Sequence, residues 1–248
     1  MPKRPQLDLS TLDSKLLDGL DFCGKVYQLF DQVRDSHNGI GKLRFRPTKI
    51  EKRLIEELIP MARYVQARYS EGLRIKVGWF SGSQPYDAIL RSSGALVEHG
   101  VVPRKLFLEV TTSVHPNEYL VRRLLLDQGG SFGVKGLSRN KKTGDLVSKP
   151  YVHTGGELAT DLVGQILERI KSKADKNYPP ATVLIVNCIP DTPILDSEWN
   201  DVIERVTKAE IHTAFREVFL LDTIGSHSTT LDGNRKRRRL GPGRNHKS

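Results

Sequence analysis

Only two cysteines, Cys23 and Cys188, occur in the 248 residues, and they lie far apart. Such a pair builds neither a disulfide framework nor a zinc cluster and fits a reducing compartment, so the expected location is cytoplasmic. Nowhere does the sequence approach the roughly 18–20 continuous apolar residues that a membrane span needs. Its first residues, MPKRPQLDLS, have no apolar run behind their basic positions, so neither a membrane partner nor a signal peptide is expected. Internal repeats and long low-complexity linkers are also missing ahead of the C-terminal stretch. What is plentiful is positive charge: 39 Lys and Arg against 29 Asp and Glu, a net +10. An excess of this kind favours a polyanionic partner, because phosphate binding releases condensed counterions. Much of it sits from Asn234 onward (NRKRRRLGPGRNHKS), which reads first as a solvated basic end; Arg235–Arg239 could also be read as a nuclear import signal.

The length suits one substantial core with appendages. Residues 1–49 read as an N-terminal helical extension, with Leu16, Leu17, Leu20, Phe22, Val26, Leu29 and Phe30 at loosely helical spacing. Residues 50–225 read as an α/β domain. In it, Leu54, Leu58, Met61, Val65 and Tyr69 mark a helix face that Pro60 must kink or divide. Strands are expected at Arg74–Phe80, Tyr86–Arg91 and Lys105–Thr112, then a helix near Pro116 with Leu120, Leu124 and Leu125 on one side. A basic hairpin insert at about 130–154 turns at Lys142-Thr143-Gly144-Asp145. A helix from Gly156 to Lys173, an apolar strand at Thr182–Ile189, a helix over Ser197–Phe215 and a strand at Glu217–Ile224 complete the order. Residues 226–248 form the basic tail. This order predicts an α/β sandwich with a mixed central sheet.

Two of the expected strands carry acids among apolar neighbours: Asp87 before Ala88-Ile89-Leu90, and Glu109 between Leu108 and Val110. Such acids cost desolvation energy unless something pairs with them. Paired carboxylates on adjacent strands can hold Mg²⁺ or Mn²⁺, which polarises a phosphodiester and activates a bound water. Strand alternation puts Glu109 and Thr111 on one face. Simpler roles stand beside this one: Asp87 closing a turn after Pro85 or pairing with Arg91, and Glu109 pairing with a basic neighbour across the sheet.

Pro85-Tyr86-Asp87-Ala88-Ile89-Leu90 followed by Leu108-Glu109-Val110-Thr111 resembles the PD-(D/E)XK nuclease superfamily. That resemblance covers roughly residues 50–225. It implies a three-layer α-β-α sandwich with a mixed central sheet, the restriction-endonuclease-like fold, and metal-dependent hydrolysis of DNA by an endonuclease. It also implies Asp87 and Glu109 as catalytic residues and metal ligands, with Glu57 on the preceding helix as a further ligand; Glu56 points away on a helical wheel. DNA is then the expected partner, and a homodimer is compatible with the family. Where the superfamily has its lysine, this chain has Thr111, which can hold a water but supplies no positive charge. Lys76, Lys135 and Lys173 are the candidates to replace it, and His115 is a candidate general base that could instead simply start a helix. The alternative is a fold that has lost catalysis and serves as a nucleic-acid-binding or assembly module.

Arg122, Arg123, Arg139, Lys141 and Lys142 are the candidate phosphate contacts, which would position a backbone without reading sequence. Gly129–Gly136 (GGSFGVKG) lacks the phosphate-loop spacing and reads as a flexible entry to the hairpin. Gln165 reads as an exposed amide or a phosphate contact, and Trp79 and Trp199 read as core.

Overall fold

The computed structural model of the chain describes residues 8–152, 156–190, 193–209, 211, 213–223 and 225–233. A short strand, β1 (Leu16–Asp18), precedes helices α1 (Gly19–Arg34), α2 (Gly39–Phe45) and α3 (Lys49–Arg53). Through a π-helical turn at Leu54–Leu58, α3 runs on into α4 (Ile59–Arg68). Strands β2 (Arg74–Trp79) and β3 (Ala88–Ser93), the short helix α5 (Ala95–Glu98) and strand β4 (Lys105–Ser113) follow. Helix α6 (Glu118–Gln128) leads to the hairpin of β5 (Leu137–Arg139) and β6 (Leu146–Ser148). The chain then forms α7 (Glu157–Ala174), β7 (Thr182–Cys188), α8 (Asp196–Lys208), β8 (Glu217–Asp222) and β9 (Ser228–Asp232).

Seven strands make one mixed sheet in the order β1-β2-β3-β4-β7-β8-β9. The first four pair antiparallel, β4, β7 and β8 run parallel, and β9 closes the edge antiparallel. Each parallel step needs a crossover, supplied by α7 and then α8. All seven residues of β7 are buried, so its alternate side chains feed two cores. Val183 and Ile185 join Phe22, Val26, Leu58 and Met61 on one face; Leu184 and Val186 join Leu162, Ile166, Trp199 and Val202 on the other. Helices therefore cover both faces of the sheet. A third, small core of Leu120, Leu124 and Leu137 holds α6 against the β5–β6 hairpin. Among the described residues, no helix is long and apolar enough to cross a membrane.

The N-terminal segment belongs to the main body instead of extending from it. Phe22, Val26, Leu29 and Val33 bury their stripe in the same core as Leu54 and Val65, while Leu16 and Leu17 pair with Gly78 and Val77 as strand. Pro60 does divide its helix. A proline there offers no N–H and its ring would crowd the carbonyl of Glu56, so the chain widens by one residue and Ile59 N–H bonds to Leu54 O. Strand β3 starts at Ala88, after Asp87, and α8 stops at Lys208, short of Phe215. Arg235–Arg239 and the rest of the basic end lie outside the described residues.

Candidate functional site

Asp87 lies in the bend that enters β3, not in mid-strand, and is fastened at three points. Its N–H donates to Leu108 O (2.8 Å), its carbonyl accepts from Phe80 N (2.9 Å), and its carboxylate Oδ2 accepts the Val110 N–H at 2.7 Å. These bonds set the side chain against the middle of β4. No ion pair with Arg91 is present among the described residues.

Leu108 and Val110 point into the core on the α1–α4 side, so alternation turns Glu109 and Thr111 toward α7. Glu109 is only 8% exposed and meets Lys173 from the last turn of α7, with Nζ 2.5 Å from Oε1. Its cation thus comes from a helix 64 residues further along, not from a strand across the sheet. A buried carboxylate left without such a partner would be strongly destabilising. Of the other two candidate lysines, Lys76 is exposed on β2, and Lys135 is held by Glu157 and Asp161, each at 2.5 Å.

The Glu109 charge acts on Asp87. Burial, and next the Glu109 carboxylate, push Asp87 up to about 7, with Glu57 adding to the rise and the Val110 N–H and Lys173 opposing it. Glu57 stands on the π turn, where burial raises its own carboxyl against the pull of Arg53. The buried Trp79 indole N–H faces it and also opposes the rise. Glu56 turns the other way and pairs with Arg46 (2.9 Å) and Arg122 (3.7 Å). Tyr178, just beyond α7, brings a buried hydroxyl up to the Glu109 carboxylate. Its phenol is raised by burial first, then by the Glu109 and Asp87 charges.

The charges of Glu109 and Glu57 both reach Asp87, and Lys173 and Tyr178 stand beside Glu109. Tyr178 could not be read as a site residue: it lies in a loop, and nothing in its spacing ties it to Glu109. Thr111 is half-buried on the Glu109 face. His115 takes the helix-start role, its Nδ1 accepting the Asn117 N–H at 3.0 Å. It lines a separate cavity of about 30 Å³ with Gln165, Asp161 and Glu198, in which Gln165 Oε1 is buried and unpartnered instead of exposed. Among the described residues, no three His, Cys, Asp or Glu side chains gather closely enough to hold a metal ion, so Glu57 is not drawn in as a third ligand. What the site offers is a pair of carboxylates.

The expected phosphate contacts divide into two groups. Arg122 is largely buried and committed to Glu118 and Glu56, and Arg123 pairs with Asp127 on the same helix. Arg139, Lys141 and Lys142 surround the hairpin turn, exposed and without ion pairs among the described residues. Compared with known proteins, the chain matches no family model, no curated protein and no solved structure.

Proposed function

We propose that the chain is a metal-dependent endonuclease acting on DNA, a PD-(D/E)XK protein whose lysine has moved from β4 to the end of α7. The observation that carries this reading is the contact of Lys173 with Glu109, which returns a positive charge to the place where Thr111 leaves none. The strand sequence supports it as well: β2, β3 and β4 antiparallel, then β7 parallel to β4 after a helix, with the acids at the start of β3 and within β4. This order is compatible with the α-β-β-β-α-β core of the superfamily.

Asp87 and Glu109 fit a divalent cation such as Mg²⁺ or Mn²⁺, because both are oxygen donors and the Glu109 charge, which opposes ionisation of Asp87, favours a positive charge beside them. When bound, such an ion supplies a polarised phosphodiester and a water of lowered pKa. The chain's own groups do the rest. The Lys173 ammonium offsets charge on the phosphate, the Thr111 hydroxyl can orient a water, and the Val110 N–H holds the Asp87 carboxylate in place.

Incubating plasmid with Mg²⁺ or Mn²⁺ tests the reading. Cleavage is expected, falling about 100-fold or more in Asp87→Asn, Glu109→Gln and Lys173→Met; equal cleavage by all four proteins would contradict it. A second reading, a nucleic-acid-binding module without hydrolysis, is favoured by the lack of a third ligating side chain among the described residues. It predicts salt-sensitive binding with no cleavage and no effect of metal on melting.

A further inference from the structure

Among the described residues, exposed aromatic rings gather in one part of the protein. Among the described residues, Tyr119, Phe132 and Tyr151 are the exposed ones, and all three belong to the unit of α6 and the β5–β6 hairpin. Exposed Leu126 shares the outer face of α6 with Tyr119, since the two stand seven residues apart. The small core of Leu120, Leu124 and Leu137 does not need these rings, which face water although burial would favour them.

Cations are interleaved with the rings. Arg139, Lys141, Lys142 and Lys149 are exposed and make no ion pairs among the described residues, and Lys135 Nζ stands 5.3 Å from the centroid of the Tyr151 ring. Exposed rings set among unpaired cations suit a chain that is both anionic and aromatic. Single-stranded nucleic acid is such a chain, with a backbone for the cations and unstacked bases for the rings. A duplex hides its base faces, and a second copy of this protein would bring the same positive charge to the contact.

The unit is also tied to the carboxylate site. Strand β4, which bears Glu109, runs within a few residues into α6, and Arg122 of α6 reaches Glu56, the neighbour of Glu57 on the π turn. We propose that α6 and the β5–β6 hairpin form a platform for an unpaired stretch of nucleic acid, with Tyr119 and Phe132 stacking on bases and Arg139, Lys141, Lys142 and Lys149 following the phosphates. The platform deepens the nuclease reading by naming the form of its substrate, and it can be tested without catalysis.

Fluorescence anisotropy in EDTA, using Asp87→Asn protein so that nothing is cleaved, isolates the platform. The probes are labelled oligothymidylate and oligouridylate of about 15 nucleotides and a duplex of the same length. The expected result is tighter binding of the single strands, weakened about tenfold or more in Tyr119→Ala/Phe132→Ala with duplex affinity unchanged. Lys141→Gln/Lys142→Gln should weaken every probe and lower the salt dependence. The oligothymidylate and oligouridylate arms then tell DNA from RNA. Preference for the duplex, binding to no probe, or full single-strand affinity in the aromatic variant with its melting temperature unchanged would each overturn the proposal. Because no metal is present, single-strand binding survives here even if the nuclease reading fails.

Discussion

At the scale of residues, the site is a balance between two acids and one base. Asp87 is held above the ordinary carboxylate range, so between about pH 4 and 7 the folded protein keeps a proton that the unfolded chain has released. The stability this gives is full below the ordinary range and is lost as pH rises through about 7. Asp87→Asn, whose side-chain oxygen can still accept the Val110 N–H, should therefore raise the metal-free melting temperature at pH 8 by roughly 3–6 °C. The gain should vanish near pH 4, which differential scanning calorimetry at the two pH values can check. Lys173→Met should act oppositely, costing about 3 kcal/mol at neutral pH by stranding the Glu109 charge. Adding Glu109→Gln should recover most of that loss, a coupling that urea melts of the single and double variants would measure. Asp87 and Glu109 were legible in the sequence because each interrupts an apolar run. Lys173 stood among three candidate lysines and nothing in the sequence chose it, because 64 residues separate it from Glu109 and only the α7 crossover closes that distance.

Among elements, legibility followed length and burial. β7 and α7 stand out as an unbroken apolar run and a long repeating stripe, and both form where expected. β1 was hidden because three residues are too few to show alternation, and Leu16 and Leu17 abut the stripe of α1. β9 was hidden because, as an edge strand reading Ser-Thr-Thr-Leu-Asp, it carries almost no apolar signal. The π turn could be located from Pro60 but not specified, since a proline licenses a kink, a break or a bulge alike. Gly136 marks how the hairpin is held: a Cβ there would sit 1.8 Å from Lys149 O. Gly136→Ala should spring the β5–β6 pairing and speed limited proteolysis between residues 129 and 152 about tenfold. The main melting transition should move by less than about 2 °C, because the small core beneath the hairpin is separate from the two that hold the sheet.

For the whole molecule, two cores share one sheet, and residues between Leu9 and Leu43 complete one of them. Helical spacing suggested an N-terminal helical extension, because an amphipathic stripe shows that a helix will be covered but not by what. Deleting residues 1–49 removes β1, α1 and α2 and uncovers Met61, Val65 and Ile75, each worth about 1.5–3 kcal/mol of burial. The truncated chain should be insoluble or lack near-ultraviolet circular dichroism, whereas a soluble fragment with native signal would restore the extension. The same architecture seats Asp87, Glu109 and Lys173 where antiparallel and parallel halves of the sheet meet, at β3–β4 and the α7 crossover. The central claim is that this junction holds a divalent cation. Calorimetric titration of the whole protein with Mn²⁺ at pH 8 tests it most directly. Saturable binding that is lost in both Asp87→Asn and Glu109→Gln is expected; binding that is absent, or unchanged in those variants, would rule the cation site out.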